Sequence, residues 1–372
     1  MHLTPMEGHK PARLAHIDAL RGLAALLVVW EHVAQTFIKL SPAVVANGTA
    51  LYDISNSTNF GRIGVLLFFA ISGFVIPNSL KGGVRDGANT FLISRFFRLF
   101  PLFWVSIPLG LVFLYWVPGR TIDTASIFAN FTMIPAFLGF KPLMGLYWTL
   151  AVELIFYGLC LLLFCKGKNN HVGILALCAV LLGSVFAVRV WGYDLQWLGF
   201  KIHPQFAYYC SFVAIMFWGA LYRQWYDRRS HALTLLLIAV TLIVFATGLK
   251  SFYFQIHKGI TQLPMITKTQ LLPPIIFILG TTVFKVRYRF CSWLGEISYS
   301  LYLLHSLVFY SLFRLLKALD IEALLSLHLS VYLLVCMGLS LLLASASYRL
   351  VERPAIRLGK RLSSRLRPAL AV

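Results

Sequence analysis

Residues 15–37 read AHIDALRGLAALLVVWEHVAQTF, a stretch that is apolar enough for a membrane helix and yet carries acidic, basic and histidine side chains. A helix needs roughly 20 mostly apolar residues to cross the hydrocarbon layer of a bilayer. An ionisable group in that layer is costly, so each one is a candidate for a functional site with a nearby partner. The stretch therefore predicts a membrane helix that also takes part in function.

The composition of the whole chain indicates a membrane protein. Of its 372 residues, 59% are hydrophobic and 12% are charged, and the mean hydropathy is +0.77. This composition excludes a disordered chain, a collagen and a disulfide-stapled secreted module. The formal net charge is +20, but the basic residues stand between long apolar runs and not on a charge-rich soluble face. We therefore expect no nucleic-acid partner.

The apolar runs predict an all-α, polytopic integral membrane protein with about ten transmembrane helices in a single domain, residues 1–372. The predicted spans are residues 17–39, 60–80, 91–117, 146–165, 171–190, 205–225, 231–249, 269–286, 294–316 and 326–350. The interrupted run 125–139 is shorter, and we expect it to be interfacial or re-entrant. In this topology, Lys and Arg are roughly twice as frequent on the side of the membrane that holds the N-terminus as on the opposite side. Both termini, including a short basic tail from about residue 352, are therefore predicted to be cytoplasmic.

The polar residues of the first span are predicted to form a stripe. His32 stands eleven positions after Arg21, which corresponds to three helical turns plus about 20° and a rise of about 16 Å. Asp18 lies within about 60° of Arg21, whereas Glu31 points about 100° away from His32. The stripe indicates a functional site. The structural alternative is a clamp between helices, in which Arg21 pairs with a carboxylate and His32 with a backbone carbonyl.

Two arginines stand near the start of the third predicted span, in the block SRFFRLFP. Arg95 and Arg98 are three residues apart and share one helical face at the cytoplasmic boundary. The guanidinium group is a rigid fork of donors that suits phosphate. The alternative is that both side chains extend to the lipid headgroups.

A carboxylate is predicted inside the fourth span, in the block YWTLAVELIFY. Glu153 lies about seven residues, roughly 10 Å, from the outer end, and His32 lies at a similar depth in the first span. The two groups are expected to form an acid–base pair, or the carboxylate to hold one tautomer of the imidazole. A buried structural pairing of Glu153 with an arginine is the alternative.

The ninth span contains the block EISYSLYLLH. Its Ser298, Tyr302 and His305 are spaced i, i+4 and i+7 and therefore share one helical face. These side chains are expected to line a cavity. The alternative is that they are packing residues whose polar atoms are satisfied locally.

Seven blocks, in order along the chain, resemble those of the integral-membrane acyltransferase 3 family, which includes bacterial O-acyltransferases of surface and exported polysaccharides. They are HIDALRGLAALLVVWEH, GVLLFFAISGFVI, SRFFRLFP, ANFTMIP, YWTLAVELIFY, LGEISYSLYLLH and the final VERP. The resemblance implies transfer of an acyl group, usually acetyl, from cytoplasmic acyl-CoA to a hydroxyl of a glycan or a lipid-linked saccharide. It also implies a location in the bacterial cytoplasmic (inner) membrane, with acetyl-CoA as a co-substrate and neither a permanently bound cofactor nor a metal.

The resemblance also assigns residues. It implies that the catalytic residues are His32, Arg21 and Glu153, and that Arg95, Arg98 and Arg21 bind the acyl donor. The substrate-site candidates are Asp18, Trp148, Tyr302 and His305.

Two mechanisms and one other function class stay open at this point. A neutral His32 is able to deprotonate the acceptor hydroxyl for direct attack on the thioester, or to take up the acyl group covalently first. The other class is a proton-coupled transporter that uses His32 and Glu153 as a relay. The cytoplasmic arginines favour the enzyme, because an anionic acyl donor needs them and a sugar permease does not.

Overall fold

A computed structural model describes residues 14–191, 202–250, 253 and 264–365 of the chain. These residues are overwhelmingly helical, and none of them forms a β-strand. The predicted all-α fold is therefore confirmed. The last residues of the predicted basic tail, 366–372, lie outside the described residues.

The helices of the described residues follow one another along the chain. They are α1 (Ala15–Phe37), α2 (Pro42–Asn47), α3 (Thr49–Ser57), α4 (Phe60–Val75), α5 (Val84–Gly110), α6 (Thr124–Asn130), α7 (Tyr147–Cys165), α8 (Val172–Val190), α9 (Pro204–Arg228), α10 (His231–Val244), α11 (Pro264–Thr282), α12 (Arg289–Leu319), α13 (Glu322–Leu325), α14 (Leu329–Ser347) and α15 (Arg353–Arg365). Helix α5 continues into a π-helical turn, Leu111–Trp116, and a second π-helical turn, Tyr348–Glu352, joins α14 to α15.

Six helical segments among the described residues are long and apolar enough to cross a membrane. They are Phe60–Ser79, Val84–Trp116, Tyr147–Cys165, Val172–Val190, Arg289–Leu319 and Leu329–Arg365. Helix α1 has 23 residues, but its charged and polar side chains lower its hydropathy. Helix α10 is apolar but only 14 residues long. The membrane architecture agrees with the sequence, while the number of ten spans stays a prediction.

The run 125–139 does not form one continuous helix. Its residues make the short helix α6, a turn, and a single 3₁₀ turn at Pro135–Leu138. The Asp123 carboxylate caps α6 by accepting a hydrogen bond from the Ser126 amide at 2.7 Å. The side chain of Ser126, together with this amide, lowers the pKa of Asp123 below its usual range. The segment is too short to cross a bilayer as a helix.

Helix α1 lies inside the helical assembly and separates two clusters of buried apolar side chains. Ala24 and Val28 belong to the larger cluster, which includes residues of α4, α5, α7 and α9. Ala25 and Val29 belong to the second cluster, which includes residues of α12 and α14. Because α1 is enclosed by other helices, its polar stripe faces protein and cavities. This position makes ionisable groups tolerable in a membrane helix.

The closest contacts between these helices are made at glycines. A Cβ atom at any of four glycines would overlap a backbone carbonyl oxygen of the neighbouring helix. The pairs, with the glycine first, are Gly64 with Ala24, Gly73 with Met216, Gly219 with Ala70 and Gly295 with Asp18. Small residues allow helix backbones to approach closely in membranes. The spacing of α1, α4, α9 and α12 is therefore set by backbone contacts.

Candidate active site

The three arginines singled out in the sequence meet in one cavity, here called the arginine cavity, with a volume of about 90 Å³. Its lining residues are Arg21, Val65, Phe68, Phe69, Ser72, Ile76, Arg95, Arg98, Leu99, Thr149, Leu150, Glu153, Tyr157, Ser298, Tyr299 and Tyr302. Three guanidinium groups and one carboxylate line its surface, so hydrogen-bond donors predominate there. Such a cavity suits an anionic ligand that also has an apolar part.

Arg21 enters this cavity from the first turns of α1. Its guanidinium lies 3.9 Å from the carboxylate of Asp18, one helical turn earlier. Asp18 is buried and lines neither this cavity nor the one that contains His32. The structure thus places Asp18 beside Arg21, as the helical spacing predicts, and outside the cavity surface.

Arg95 is held by one hydrogen bond and by contacts with two aromatic rings, and one of its N–H donors stays available. Its Nη2 donates to the hydroxyl of Ser79 at 3.1 Å, and its guanidinium lies over the rings of Phe91 and Tyr157. Its Nε is buried and has no hydrogen-bond partner among the described residues. An orphaned buried N–H costs free energy unless a ligand accepts from it. Arg95 is therefore suited to bind an anion.

Arg98 has a partner that the sequence reasoning missed. Its Nη1 donates to Oε1 of Glu352 at 2.5 Å, and the other oxygen, Oε2, accepts from the hydroxyl of Ser300 at 2.6 Å. The carboxylate of Glu352 is completely buried, whereas the Arg98 side chain is 26% exposed. Glu352 stands in the VERP block, and its buried position beside an arginine 254 residues earlier becomes visible only in the fold. Arg98 is thus partly neutralised.

Glu153 lies with the arginines and not with His32, which corrects the expected acid–base pair. Its Oε1 accepts from the hydroxyl of Tyr157 at 2.6 Å and from Ser72 at 3.3 Å. The residue of α7 that lines the cavity of His32 is Trp148. Glu153 follows five residues later, about 7.5 Å further along the helix, because α7 begins at Tyr147.

His32 lines a second cavity, here called the histidine cavity, with a volume of about 410 Å³. The residues around it are Val28, Glu31, His32, Gln35, Asn59, Gly61, Arg62, Val65, Gly145, Leu146, Trp148, Phe212 and Tyr302. His32 is exposed, although most of its neighbours on α1 are buried. Its imidazole is therefore accessible to a ligand in this cavity.

His305 packs directly against His32, with 5.3 Å between the two ring centroids. Its Nδ1 lies 2.7 Å from the carbonyl oxygen of Tyr302, and because a carbonyl only accepts, Nδ1 carries the hydrogen. Nε2 is buried and has no partner among the described residues. His305 lines neither the arginine nor the histidine cavity, so the expected lining role applies only to Ser298 and Tyr302.

The two cavities share the side chains of Val65 and Tyr302. The hydroxyl of Tyr302 lies 2.7 Å from that of Thr149, which donates to the carbonyl oxygen of Leu146 at 2.9 Å. These hydrogen bonds fix the tyrosine ring against the first turns of α7. A single layer of side chains therefore separates the cavity of Arg21 from that of His32.

Glu31 has a structural role that the spacing on α1 did not reveal. Its Oε2 accepts a hydrogen bond from the backbone amide of Phe60 at 2.9 Å, at the N-terminus of α4. A carboxylate at this position satisfies a free amide and interacts favourably with the helix dipole. Glu31 thus joins α1 to α4 beside His32.

Comparison with known proteins identifies the chain. A family model described as an acyltransferase domain matches residues 14–348. The chain belongs to the acyltransferase 3 family. The match covers the arginine and histidine cavities, and it confirms the resemblance seen in the sequence. No solved structure matches the chain.

Three curated relatives match parts of the chain. Nodulation protein 10 of Rhizobium leguminosarum bv. viciae is 30% identical over 202 residues, which cover 48% of this chain and 52% of that protein. Acyltransferase MdmB of Streptomyces mycarofaciens is 29% identical over 153 residues, 39% of this chain and 38% of the relative. Protein 2 in picA locus of Rhizobium radiobacter is 33% identical over 107 residues, 28% of this chain and 47% of the relative. The chain thus spans about half the length of these relatives or less.

Proposed function

We propose that this acyltransferase moves an acetyl group from cytoplasmic acyl-CoA to a hydroxyl of a glycan or lipid-linked saccharide, with His32 as general base. One observation carries the proposal. Arg21 and His32 stand on one face of α1 and open into two cavities that share Val65 and Tyr302. A donor in one cavity and an acceptor in the other would meet at this shared layer.

The arginine cavity suits the phosphates of CoA. Arg21 and Arg95 offer guanidinium donors there, and the unpartnered Nε of Arg95 adds a further one. The apolar part of the lining, which includes Phe68, Phe69 and Leu150, suits the pantetheine arm. The arm would carry the thioester along the polar face of α1 towards His32, about 16 Å from Arg21 along the helix axis.

The chemistry at His32 is a direct transfer. The neutral imidazole accepts the proton of the acceptor hydroxyl as its oxygen attacks the thioester carbonyl. The new ester C–O bond forms, the C–S bond breaks, and the imidazolium returns the proton to the CoA thiolate. His305 serves as a positioning residue, because its Nε2 is available to accept an N–H hydrogen bond from the adjacent His32 ring.

The topology belongs to the same proposal. The ten predicted spans would lie in a bacterial cytoplasmic membrane, with the arginine cavity towards the cytoplasm and both termini on that side. Green fluorescent protein, which fluoresces only in the cytoplasm, is expected to be bright when fused after residue 372 and dark when inserted after Arg120. The reverse pattern would reject the orientation.

A transporter loses support from the family membership, because the matching model describes an acyltransferase domain. The placement of Glu153 points the same way. A relay would require it near His32, but it is hydrogen-bonded to Tyr157 and Ser72 beside the arginines.

The direct experiment is acyl transfer by purified protein in lipid nanodiscs, with radiolabelled acetyl-CoA and a mixture of bacterial surface glycans. Wild-type protein is expected to deposit label that mild alkali removes as acetate. His32→Gln is expected to lower the rate by about 10²–10⁴-fold. The matched control is His231→Gln, since His231 is an exposed histidine at the start of α10. Equal rates for His32→Gln and wild type would reject the mechanism.

A further inference from the structure

A third and larger cavity lies beyond His32, at the end of the molecule where α1 ends. Its volume is about 970 Å³, and Lys39, Arg120, Lys141 and Arg314 line it. None of the described residues that line it is acidic. We call it the basic cavity. Four positive charges without a carboxylate create a strong local attraction for anions.

Two features indicate that the basic cavity is a preformed binding site and not only a group of mobile surface cations. The guanidinium of Arg314 is fixed by a hydrogen bond that it donates to the carbonyl oxygen of Phe113. Ser306 also lines the cavity, is only 6% exposed, and has a hydroxyl with no partner among the described residues. A buried hydroxyl of this kind is normally satisfied by a partner, and a ligand in the cavity would supply one.

The basic cavity adjoins the site of acyl transfer. Gln35 and Gly145 line both the basic cavity and the histidine cavity. Ser306 directly follows His305, the residue that packs on the ring of His32. A molecule that fills the basic cavity and passes Gln35 would therefore enter the cavity of His32.

We infer that the basic cavity binds the negatively charged part of an acidic saccharide acceptor, whose neighbouring hydroxyl then reaches His32. This inference rests on the proposed function and adds the class of acceptor to it. The anionic group is a phosphate or a carboxylate, because guanidinium and ammonium groups bind both. The volume, about 970 Å³, lies at the upper end of the roughly 300–1,000 Å³ of a typical small-ligand pocket and is large enough for the charged part of a saccharide.

The test compares binding of an acidic and a neutral trisaccharide, trigalacturonate and maltotriose, to the full chain in phosphatidylcholine nanodiscs by calorimetry. Wild-type protein is expected to bind trigalacturonate at least tenfold more tightly, and the preference is expected to shrink as salt increases. Inorganic pyrophosphate is expected to compete with trigalacturonate.

The variant Arg120→Gln/Lys141→Gln removes two exposed cations from the basic cavity. It is expected to weaken trigalacturonate binding about tenfold and to leave maltotriose binding unchanged. The matched control, Lys166→Gln/Lys168→Gln, removes two exposed cations just after α7 and is expected to leave both affinities unchanged.

Three results would overturn the inference: equal affinity for the two trisaccharides, an unchanged affinity in Arg120→Gln/Lys141→Gln, or loss of trigalacturonate binding when phosphatidylglycerol is added to the nanodiscs. The last result would make the cavity a lipid headgroup site. A failure of the proposed function would give a different result. If no glycan is acetylated although trigalacturonate binds as expected, the anion site stands and the acyl-transfer proposal is lost.

Discussion

Removing Arg98 is expected to destabilise the protein more than removing the charge of Glu352. The Glu352 carboxylate is 0% exposed and the Arg98 side chain is 26% exposed. Arg98→Met leaves a buried carboxylate with only the hydroxyl of Ser300, and removing one partner of a buried ion pair costs about 3–5 kcal/mol. Glu352→Gln retains an acceptor for Ser300 and leaves a guanidinium that water reaches. Its cost is expected to be smaller, about 1.5–3 kcal/mol, the value of one hydrogen bond to a charged group.

The double variant Arg98→Met/Glu352→Gln decides whether the ion pair causes the difference. Because it leaves no unpaired charge, it is expected to be more stable than Arg98→Met alone by about 2 kcal/mol, within the range of coupling between neighbouring residues. The free energy of unfolding is measured by titrating the detergent-solubilised protein with sodium dodecyl sulfate and following tryptophan fluorescence.

A matched control is the exposed pair of Arg223 and Asp227, whose Nε and Oδ2 lie 2.7 Å apart. Asp227 is 45% exposed, so Asp227→Asn is expected to change the free energy of unfolding by less than about 1 kcal/mol. The reasoning is refuted if Glu352→Gln costs as much as Arg98→Met, or if the double variant loses the sum of the two single losses.

Three further predictions concern packing and chemistry. Tyr302→Phe removes a hydroxyl bonded inside the layer between the two cavities and is expected to lower the free energy of unfolding by about 1 kcal/mol; an unchanged transition in the same titration would contradict this. Gly73→Ala is expected to cost about 1–3 kcal/mol or more through steric overlap, whereas Gly338→Ala, where a new Cβ meets nothing within 4 Å, is expected to be neutral or slightly stabilising. Direct transfer predicts that mass spectrometry finds no acetylated His32 after incubation with acetyl-CoA alone, and a stoichiometric acetyl-His32 would establish the covalent route instead.

Local helix geometry was predictable from the sequence. The eleven-residue spacing placed Arg21 and His32 on one face of α1, and both side chains open into cavities that share Val65 and Tyr302. This prediction succeeded because the rotation and the rise per residue of an α-helix are fixed regardless of the rest of the fold. The gathering of Arg95 and Arg98 around Arg21 followed from the family resemblance and not from spacing alone.

Relations between distant segments were harder to predict. The level of Glu153 relative to His32 depends on the residue at which α7 begins and on the packing of the helices, which hydropathy locates only to within a few residues. The ion pair of Arg98 with Glu352 joins residues 254 positions apart, and nothing local in the sequence indicates it. The basic cavity is not visible in the sequence, because Lys39, Arg120, Lys141 and Arg314 stand on distant segments and meet only in the fold.

The glycine contacts bear on how this family changes its specificity. Since α1, α4, α9 and α12 touch backbone to backbone at Gly64, Gly73, Gly219 and Gly295, side chains that line the cavities do not hold these helices apart. Substitutions at lining positions such as Trp148 or Phe212 can therefore reshape the histidine cavity while the packing of α1 against α4 and α12 stays fixed. A frame of this kind allows one cavity to diversify in evolution without rebuilding the other.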